Sequence, residues 1–513
     1  MAQSPGVVPK GGLMQICASI AEETVEKAVA AMNQAASWAD LLEIRLDYLD
    51  KPDLQDLLTD PPRPCLVTNR PKSEGGRFPG TEAERLDLLE RAMSLEPAMV
   101  DLELSAGDAA LKAFAQKKGR TRLVISFHNF DRTPDFPELA GILRHMHRLK
   151  ADVAKVVTTV HTPEELLRLK ELLIKAGEIN QPLAAFSLGP LSRLSRVLAP
   201  LWGSALTYCA VSQGKEAAPG QMTGAEIRRV FHNAWNLSGI NEQTELYGVL
   251  GSPVGYSLSP VIHNAAFRRL GLNCFYVPVD VEDAELAFEC LKRLAFNGLS
   301  VTRPHKIAVM SHLDQIDTPA RSLGAVNTIT HEDGKYSGTN TDWAGLLKAL
   351  KEHTALSGRT VLVAGAGGAA RGAVYGLTKA KARVIVTNRS EDRGRKLARE
   401  FGADFRPLNQ IESLSPDILI NATPLGMDPW RNETPFSADM LASEMVVMDM
   451  VYSPLETRLL REARQKGCET VDGLSMLLYQ AALQFKAWTG VPAPIETMRA
   501  AAENILEKED GGQ

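Results

Sequence analysis

Hydrophobic and polar positions in the first half of the chain fall into two alternating rhythms. Short, β-rich apolar runs recur as LMQICASI (13–20), LLEIRL (41–46), CLVTNR (65–70), MVDLEL (99–104), RLVISFH (122–128), VAKVVTTV (153–160), LAAFSLG (183–189) and ALTYCAV (205–211). Between them lie stretches with helical spacing, among them VEKAVAAMNQAA, AERLDLLERAMSL, PELAGILRHMHRL and PEELLRLKELLIKAG. Eight strands alternating with helices, roughly 25–30 residues apart, predict a (β/α)8 TIM barrel. TGAEIRRVFHNAWNL reads as its closing helix, so the barrel is expected over 1–237, with the polar SGINEQTE (238–245) as a linker.

The rhythm restarts with the strand LYGVLG (246–251). Within this half, VLVAGAGGAARGAVYGL (361–377) reads as a strand, a Gly-rich turn and a helix start, and ARVIVTNRS (382–390) as the next strand. That is a dinucleotide-binding βαβ pattern, and it lies in the middle of the half. The expected layout is therefore a two-domain α/β arrangement with a dinucleotide-binding Rossmann domain. A substrate-binding domain spans 246–341, a Rossmann domain spans 342–471, and C-terminal helices over 472–513 return to the substrate domain.

Composition narrows the function classes. At 513 residues the chain is too long for one core. A net charge of −5 provides no basic stripe for nucleic acid or an anionic membrane. It leaves room for small acidic substrates, which a few local Arg and Lys can bind. The six cysteines (17, 65, 209, 274, 290 and 468) show neither CxxC nor zinc-finger spacing and mostly sit in apolar runs. They read as buried free thiols in a reducing cytosol. MAQSPGVVPKGG has no apolar leader core, and no run approaches the ~18 apolar residues of a membrane span, so a cytoplasmic protein without a membrane partner is expected.

Barrel chemistry gathers at the C-terminal ends of the strands, so polar residues in apolar strand positions are the candidates. Glu43 and Arg45 lie two apart in LLEIRL and share a face. Arg70 and His128 end strands, and Lys155 interrupts VAKVV. A buried lysine titrates low or finds a partner, and a desolvated neutral one is a Schiff-base nucleophile toward ketones. An outward lysine beside a structural Glu43–Arg45 pair would account for these residues singly, but not for five together. His145 and His147, in RHMHRL, read as a helix face without a site role.

EIRLD, TNRPKSEGG, SFHNF, the strand lysine and APGQ, in this order, resemble type I 3-dehydroquinate dehydratase from Met14 to Leu237. The resemblance implies that Lys155 forms an imine with the substrate ketone. It implies that His128 acts as general base and acid, with Glu43 orienting it. Carboxylate and hydroxyl contacts would fall on Arg45, Arg70, Arg196 and Gln221, and Glu74 matches a lid residue. Several members carry Ser four residues before that Gln, where this chain has Ala217. The chemistry needs no metal, because an iminium acidifies the adjacent C–H enough for a histidine to remove the proton.

In the second half, Gly365-Ala366-Gly367-Gly368 follows a strand and opens a helix, where backbone amides can approach a pyrophosphate. The next strand ends in Asn388-Arg389-Ser390, with Arg393 one helical turn on, where NAD-binding folds usually carry an acidic residue. Two guanidinium groups and no carboxylate favour a 2′-phosphate, so the expected cofactor is NADP(H). GSPVGYSLSPVIHN, LSVTRPHK, GAVNT, GTNTDW, INATPLGM, DMVYSPLET and DGLSMLLYQ, in this order, resemble shikimate dehydrogenase from Leu246 to Leu506. The resemblance implies a catalytic pair Lys306 and Asp342, with Ser257 and Ser259 on the carboxylate. Thr302, Asn327, Tyr452 and Gln480 would contact hydroxyls or the carboxylate, and Met427 would lie near the nicotinamide. Many single-domain relatives have Asn where this chain has Ser300, whose role stays open.

Together the halves resemble bifunctional 3-dehydroquinate dehydratase/shikimate dehydrogenase of plants and some bacteria, and a bacterial, cytosolic setting is expected. The substrates would be 3-dehydroquinate, 3-dehydroshikimate and shikimate. A quinate-preferring dehydrogenase would carry a changed serine pair at 257 and 259, and a metabolite-sensing regulator would be free to lose Lys155, His128, Lys306 or Asp342. The pair and all four residues are present. A class I aldolase shares the lysine but gives no reason for the His/Glu/Arg set. The pattern leaves the oligomeric state open.

Overall fold

The computed structural model describes residues 14–231, 240–241 and 243–510, with side chains to 507. Part of the expected closing helix and linker (232–239 and 242) lies outside the described residues. The chain divides into two compact units, the second formed by Leu246–Val249, Leu258–Tyr276 and Phe296 onward. The first takes in the N-terminal half together with Leu250–Ser257 and Val277–Ala295.

The first half is built on β1 (Gln15–Ile20), β2 (Leu41–Arg45), β3 (Cys65–Thr68), β4 (Met99–Glu103), β5 (Arg122–Asn129), β6 (Val153–Thr159), β7 (Leu183–Leu188) and β8 (Leu206–Ala210), with a short β9 (Met222–Thr223). They form one sheet in the order β7-β6-β5-β4-β3-β2-β1-β8-β9. Every neighbouring pair is parallel. Ala205 N donates to Leu183 O (2.8 Å), bringing the β8 edge back to β7 and curling the sheet into the expected barrel. Local sequence supplies the helix starts. Thr81 with Glu84 and Thr162 with Glu165 form reciprocal capping boxes, the second with Pro163 at its first turn.

The period of two along each strand divides the core. Ala18, Leu42, Val67, Val100, Ile125 and Val156 pack outward with the helices. Cys17, Leu41, Leu66, Met99, Val124, Val153, Ala184 and Leu206 form the inner cluster. Two residues further along the same inward faces stand Ser19, Glu43, Thr68, Asp101, Ser126 and Lys155, all buried. An apolar floor thus carries a polar layer toward the C-terminal ends.

The second half has two sheets. β10 (Glu245–Gly251), β11 (Cys274–Asp280), β12 (Phe296–Val301), β13 (Gln315–Ile316), β14 (Thr328–Glu332) and β15 (Lys335–Thr339) are ordered β11-β10-β12-β14-β15-β13. The last sheet, of β16 (Thr360–Ala364), β17 (Arg383–Thr387), β18 (Asp404–Phe405), β19 (Ile418–Asn421), β20 (Val446–Asp449) and β21 (Glu469–Val471), is ordered β18-β17-β16-β19-β20-β21. That is the doubly wound dinucleotide order, with its switch point between β16 and β19. Helices Gly473–Thr489 and Ile495–Asp510 follow. None of the six cysteines is in a disulfide, five being buried and Cys274 partly so. Among the described residues no helix is long and apolar enough to cross a membrane, and no His, Cys, Asp and Glu group could hold a metal.

Candidate active sites

In the barrel, Lys155 lies opposite Ser126 in the ladder, and His128 stands two residues further along the same face of β5. The Lys155 ammonium is 3.2 Å from Asp101 Oδ2 and 3.6 Å from Glu43 Oε1, and 4.2 Å above the Tyr208 ring. Buried lysine here takes the partnered solution. Glu43 also accepts from Ser19 Oγ (2.7 Å) and Thr68 Oγ1 (3.0 Å). Burial works against its charge, but Lys155 and Arg45 outweigh it and hold the carboxyl below its usual range.

The carboxylate on His128 is not Glu43, as the sequence reading expects, but Glu74, 2.8 Å from Nδ1. Glu43 is occupied on the inner face of β2, whereas the turn after β3 brings Glu74 over the end of β5. Glu74 also accepts from Ser105. Burial opposes its ionisation, yet the His128 and Ser105 hydrogen bonds lower its pKa. An ionised Glu74 makes Nδ1 the donor and leaves the lone pair on Nε2. Burial and the cations Arg70 and Lys155 push His128 down to about 4, so the imidazole is neutral at pH 7.

The three arginines are differently engaged. Arg45 forms a fork on Asp47 (2.9 and 2.7 Å). Arg70 donates to Asp101 (2.6 Å), Glu103 (2.7 Å) and Ser126 (2.8 Å). Arg196, 1% exposed, has Nε and Nη1 without a hydrogen-bond partner among the described residues and lies 4.4 Å over the Phe186 ring. Burial lowers it to about 10, which keeps it cationic at neutral pH. Gln221 accepts from Ala217 N (2.7 Å) and donates to Ser19 Oγ (3.0 Å). Ala217 thus serves through its backbone. His145 pairs with Asp108 (2.9 Å) and His147 with Gln181 (3.0 Å), away from this cluster.

Sequence reasoning missed Asp101 and Glu103. Their signal was the same i, i+2 spacing in MVDLEL that singled out Glu43 and Arg45 in LLEIRL. Burial drives Glu103 up to about 7, against the pull of Arg70, while Arg70 and Lys155 hold Asp101 far below the carboxylate range.

In the second half, Lys306 Nζ donates to Asp342 Oδ2 (2.6 Å), and Asn327 Nδ2 donates to Asp342 Oδ1 (2.7 Å). Asn327 Nδ2 also reaches Gln480 Oε1 (3.3 Å). Residues from the β12–β13 segment, the start of β14, the helix after β15 and the helix Gly473–Thr489 therefore meet in one cluster. Ser259 is buried in the first turn of the helix Ser259–Arg269. Ser257, Thr302 and Tyr452 are half-buried in the turns before that helix, after β12 and after β20.

Gly365 follows β16 at φ 122°, where a Cβ would lie 2.7 Å from Ala422 O, so the switch point requires glycine. At Gly367 and Gly368 a Cβ would meet nothing within 4 Å, and these glycines open the helix Gly368–Lys379. Protein packing does not demand glycine there, whereas a phosphate approaching the amides does. Ala366 packs at the edge of the core. Asn388 donates to Ser390 O (2.8 Å) and shapes the turn after β17. Arg389 and Arg393 are exposed and have no ion-pair partner among the described residues. The next acidic residue, Glu391, is engaged with Arg395 (2.8 Å). These residues fit a 2′-phosphorylated dinucleotide. Met427, 42% exposed, lies in the loop after β19. Asn421 Nδ2 ties that loop to Leu425 O and Asp449 Oδ1, both at 2.9 Å.

Comparison with known proteins agrees with both halves. Family models match as Type I 3-dehydroquinase (16–237), shikimate dehydrogenase substrate binding domain (249–329), shikimate/quinate 5-dehydrogenase (348–427) and shikimate 5′-dehydrogenase C-terminal domain (473–503). The chain is 35% identical over 506 residues to a chloroplastic bifunctional 3-dehydroquinate dehydratase/shikimate dehydrogenase of Arabidopsis thaliana, covering 94% of this chain and 83% of that protein. It is 45% identical over 273 residues to a shikimate dehydrogenase (NADP(+)) of Thermococcus kodakarensis, covering 52% of this chain and 98% of the relative. A shikimate dehydrogenase crystallised with NADP+ superposes with TM-score 0.50 at 42% identity, covering 52% of this chain and 97% of its own. The chain therefore belongs to the bifunctional 3-dehydroquinate dehydratase/shikimate dehydrogenase family, carrying a lyase and an NADP-dependent oxidoreductase of the shikimate pathway on one polypeptide.

Proposed function

We propose that the barrel dehydrates 3-dehydroquinate to 3-dehydroshikimate through an imine on Lys155, and that the second half reduces this product to shikimate. What carries the reading is one lysine set against carboxylates in each half: Lys155 beside Asp101 and Glu43, and Lys306 beside Asp342.

In the barrel, Lys155 passes a proton to the Asp101–Glu43 pair that holds it, its neutral amine attacks the ketone, and the proton returns as water leaves and the iminium forms. His128, with Nδ1–H on Glu74, takes the adjacent proton at Nε2 and returns it to the departing hydroxyl, so the second water leaves. Arg196 has two buried nitrogens without a hydrogen-bond partner among the described residues, and we assign it the substrate carboxylate. Arg45, paired with Asp47, and Arg70, paired with Asp101 and Glu103, shape the mouth. Hydrolysis of the product iminium frees Lys155.

In the second half, Gly365, Ala366, Gly367 and Gly368 would hold the pyrophosphate of NADPH, and Asn388, Arg389, Ser390 and Arg393 its 2′-phosphate. When bound, NADPH supplies the hydride. Both Asp342 oxygens already accept, one from Lys306 and one from Asn327. Lys306 is thus the group with protons to spare, and it protonates the oxygen of the carbonyl being reduced while Asp342 fixes its direction. Ser257 and Ser259 take the carboxylate, and Thr302, Asn327, Tyr452 and Gln480 the remaining polar groups. Free thiols support a cytosolic location.

The test adds 3-dehydroquinate and NADPH to the purified chain and follows absorbance of the reduced cofactor. Sustained oxidation is expected. Silence that persists when 3-dehydroshikimate is supplied directly would overturn the dehydrogenase assignment, and silence relieved by it would overturn the assignment of the barrel.

A further inference from the structure

Ser300, on β12, is 7% exposed and sits between two side chains. It accepts a hydrogen bond from the Tyr276 hydroxyl (2.7 Å) and donates to Gln484 Oε1 (2.8 Å). Gln484, 1% exposed, passes both amide hydrogens on, to Asn327 O and Thr328 Oγ1, each at 3.0 Å. Asn327 grips Asp342. At the other end the Tyr276 phenol shares a hydrogen bond with Ser259. A series Ser259–Tyr276–Ser300–Gln484 therefore reaches the backbone of Asn327, whose side chain holds Asp342 of the Lys306–Asp342 pair.

Tyr276 is held by its ring as well. His263 stacks on it at 4.5 Å and 8°, and Trp488 lies 6.0 Å away. Phe267 and Phe485 close on the other sides of His263, at 6.3 Å each. His263 is fully buried, neither ring nitrogen has a partner among the described residues, and burial lowers its pKa to about 3. It is a neutral aromatic plate. With ring and hydroxyl both fixed, Tyr276 has little freedom to present Ser259 in any other way.

We propose that Tyr276 and Ser300 are positioning residues that set Ser259, as contact to the substrate carboxylate, in register with Lys306 and Asp342. The proposal rests on the reading of Ser259 given above. It also accounts for Ser300, whose hydroxyl is short enough to bridge Tyr276 to Gln484 in a site closed to solvent.

The experiment measures NADP+-dependent oxidation of shikimate and of shikimate methyl ester by the full chain and by Tyr276→Phe, Ser300→Ala, Ser259→Ala and the Tyr276→Phe/Ser259→Ala double variant. Tyr276→Phe keeps the stacked ring and deletes the link. It is expected to raise KM for shikimate roughly tenfold, with kcat within about twofold. KM for NADP+, KM for the ester and 3-dehydroquinate dehydration should stay as in the parent. Ser300→Ala should give a smaller rise of the same kind, which keeps the test open if Tyr276→Phe does not fold. The double variant should be no worse than Ser259→Ala alone, because the two act in series. Unchanged KM in Tyr276→Phe, equal effects on acid and ester, or additive losses in the double variant would each overturn the positioning role. An unchanged shikimate KM in Ser259→Ala would instead remove the carboxylate reading of Ser259.

Discussion

Two lysines face carboxylates in this chain, and under the proposed mechanism their surroundings suit them to opposite work. Lys155 projects inside a closed barrel, its side chain 6% exposed, between two carboxylates and over an aromatic ring. Lys306 is 27% exposed and meets one carboxylate, which Asn327 also engages. A lysine enclosed by strands is held at one point and can be approached by a carbonyl in one direction, as covalent chemistry needs. A lysine in an open turn keeps hydrogens free for a passing substrate oxygen and can relax with it. Burial and the number of partners, more than residue type, separate the proposed nucleophile from the proposed proton donor.

Lys155→Ala is the severest way to break this contrast. Dehydration should fall by more than about 10⁴-fold while NADPH oxidation with supplied 3-dehydroshikimate persists. Joint loss in a folded variant would show that the two sites are not independent. Lys306→Met should do the reverse, lowering the dehydrogenase kcat by about 10²–10⁴-fold with dehydration unaffected. A change confined to KM would reduce Lys306 to a binding residue.

The environment of His128 sharpens the contrast further. Its pKa is depressed to about 4, so the neutral base prevails above that value and is lost only as pH falls through it. The acid limb of dehydration should therefore lie near pH 4, not near the ordinary histidine value. Glu74→Gln removes the anion hydrogen-bonded to His128, which supports its protonation, so the limb should move lower still. Turnover should drop by roughly 10–100-fold. A limb moving upward would contradict the pairing. The smallest expected effect is that of Arg389→Ala, which should raise KM for NADPH about tenfold or more and leave KM for 3-dehydroshikimate alone. Equal changes in both would deny Arg389 the 2′-phosphate.

Much of this was legible because it is local. The strand count, the capping boxes, the Gly365 turn and the absence of an acid after β17 depend on residues within a few positions of each other, where periods of two and 3.6 govern. The inward face shared by Glu43 and Arg45 followed from the same period, and applied to MVDLEL it would have found Asp101 and Glu103. Tertiary structure decided which partner each group received. Glu74 rather than Glu43 meets His128 because a turn after β3 reaches the end of β5. Arg70 meets Asp101 and Glu103 because β4 lies beside β3. Arg196 has buried nitrogens without a hydrogen-bond partner among the described residues because its helix delivers it onto Phe186, and Ser300 met its partners only when β11, β12 and a helix nearly 200 residues on, carrying Gln484, came together. Spacing along a strand or helix fixes the direction of a side chain. The group it meets there is set by ladder register and chain return, which bring residues together with no signal in their separation along the chain.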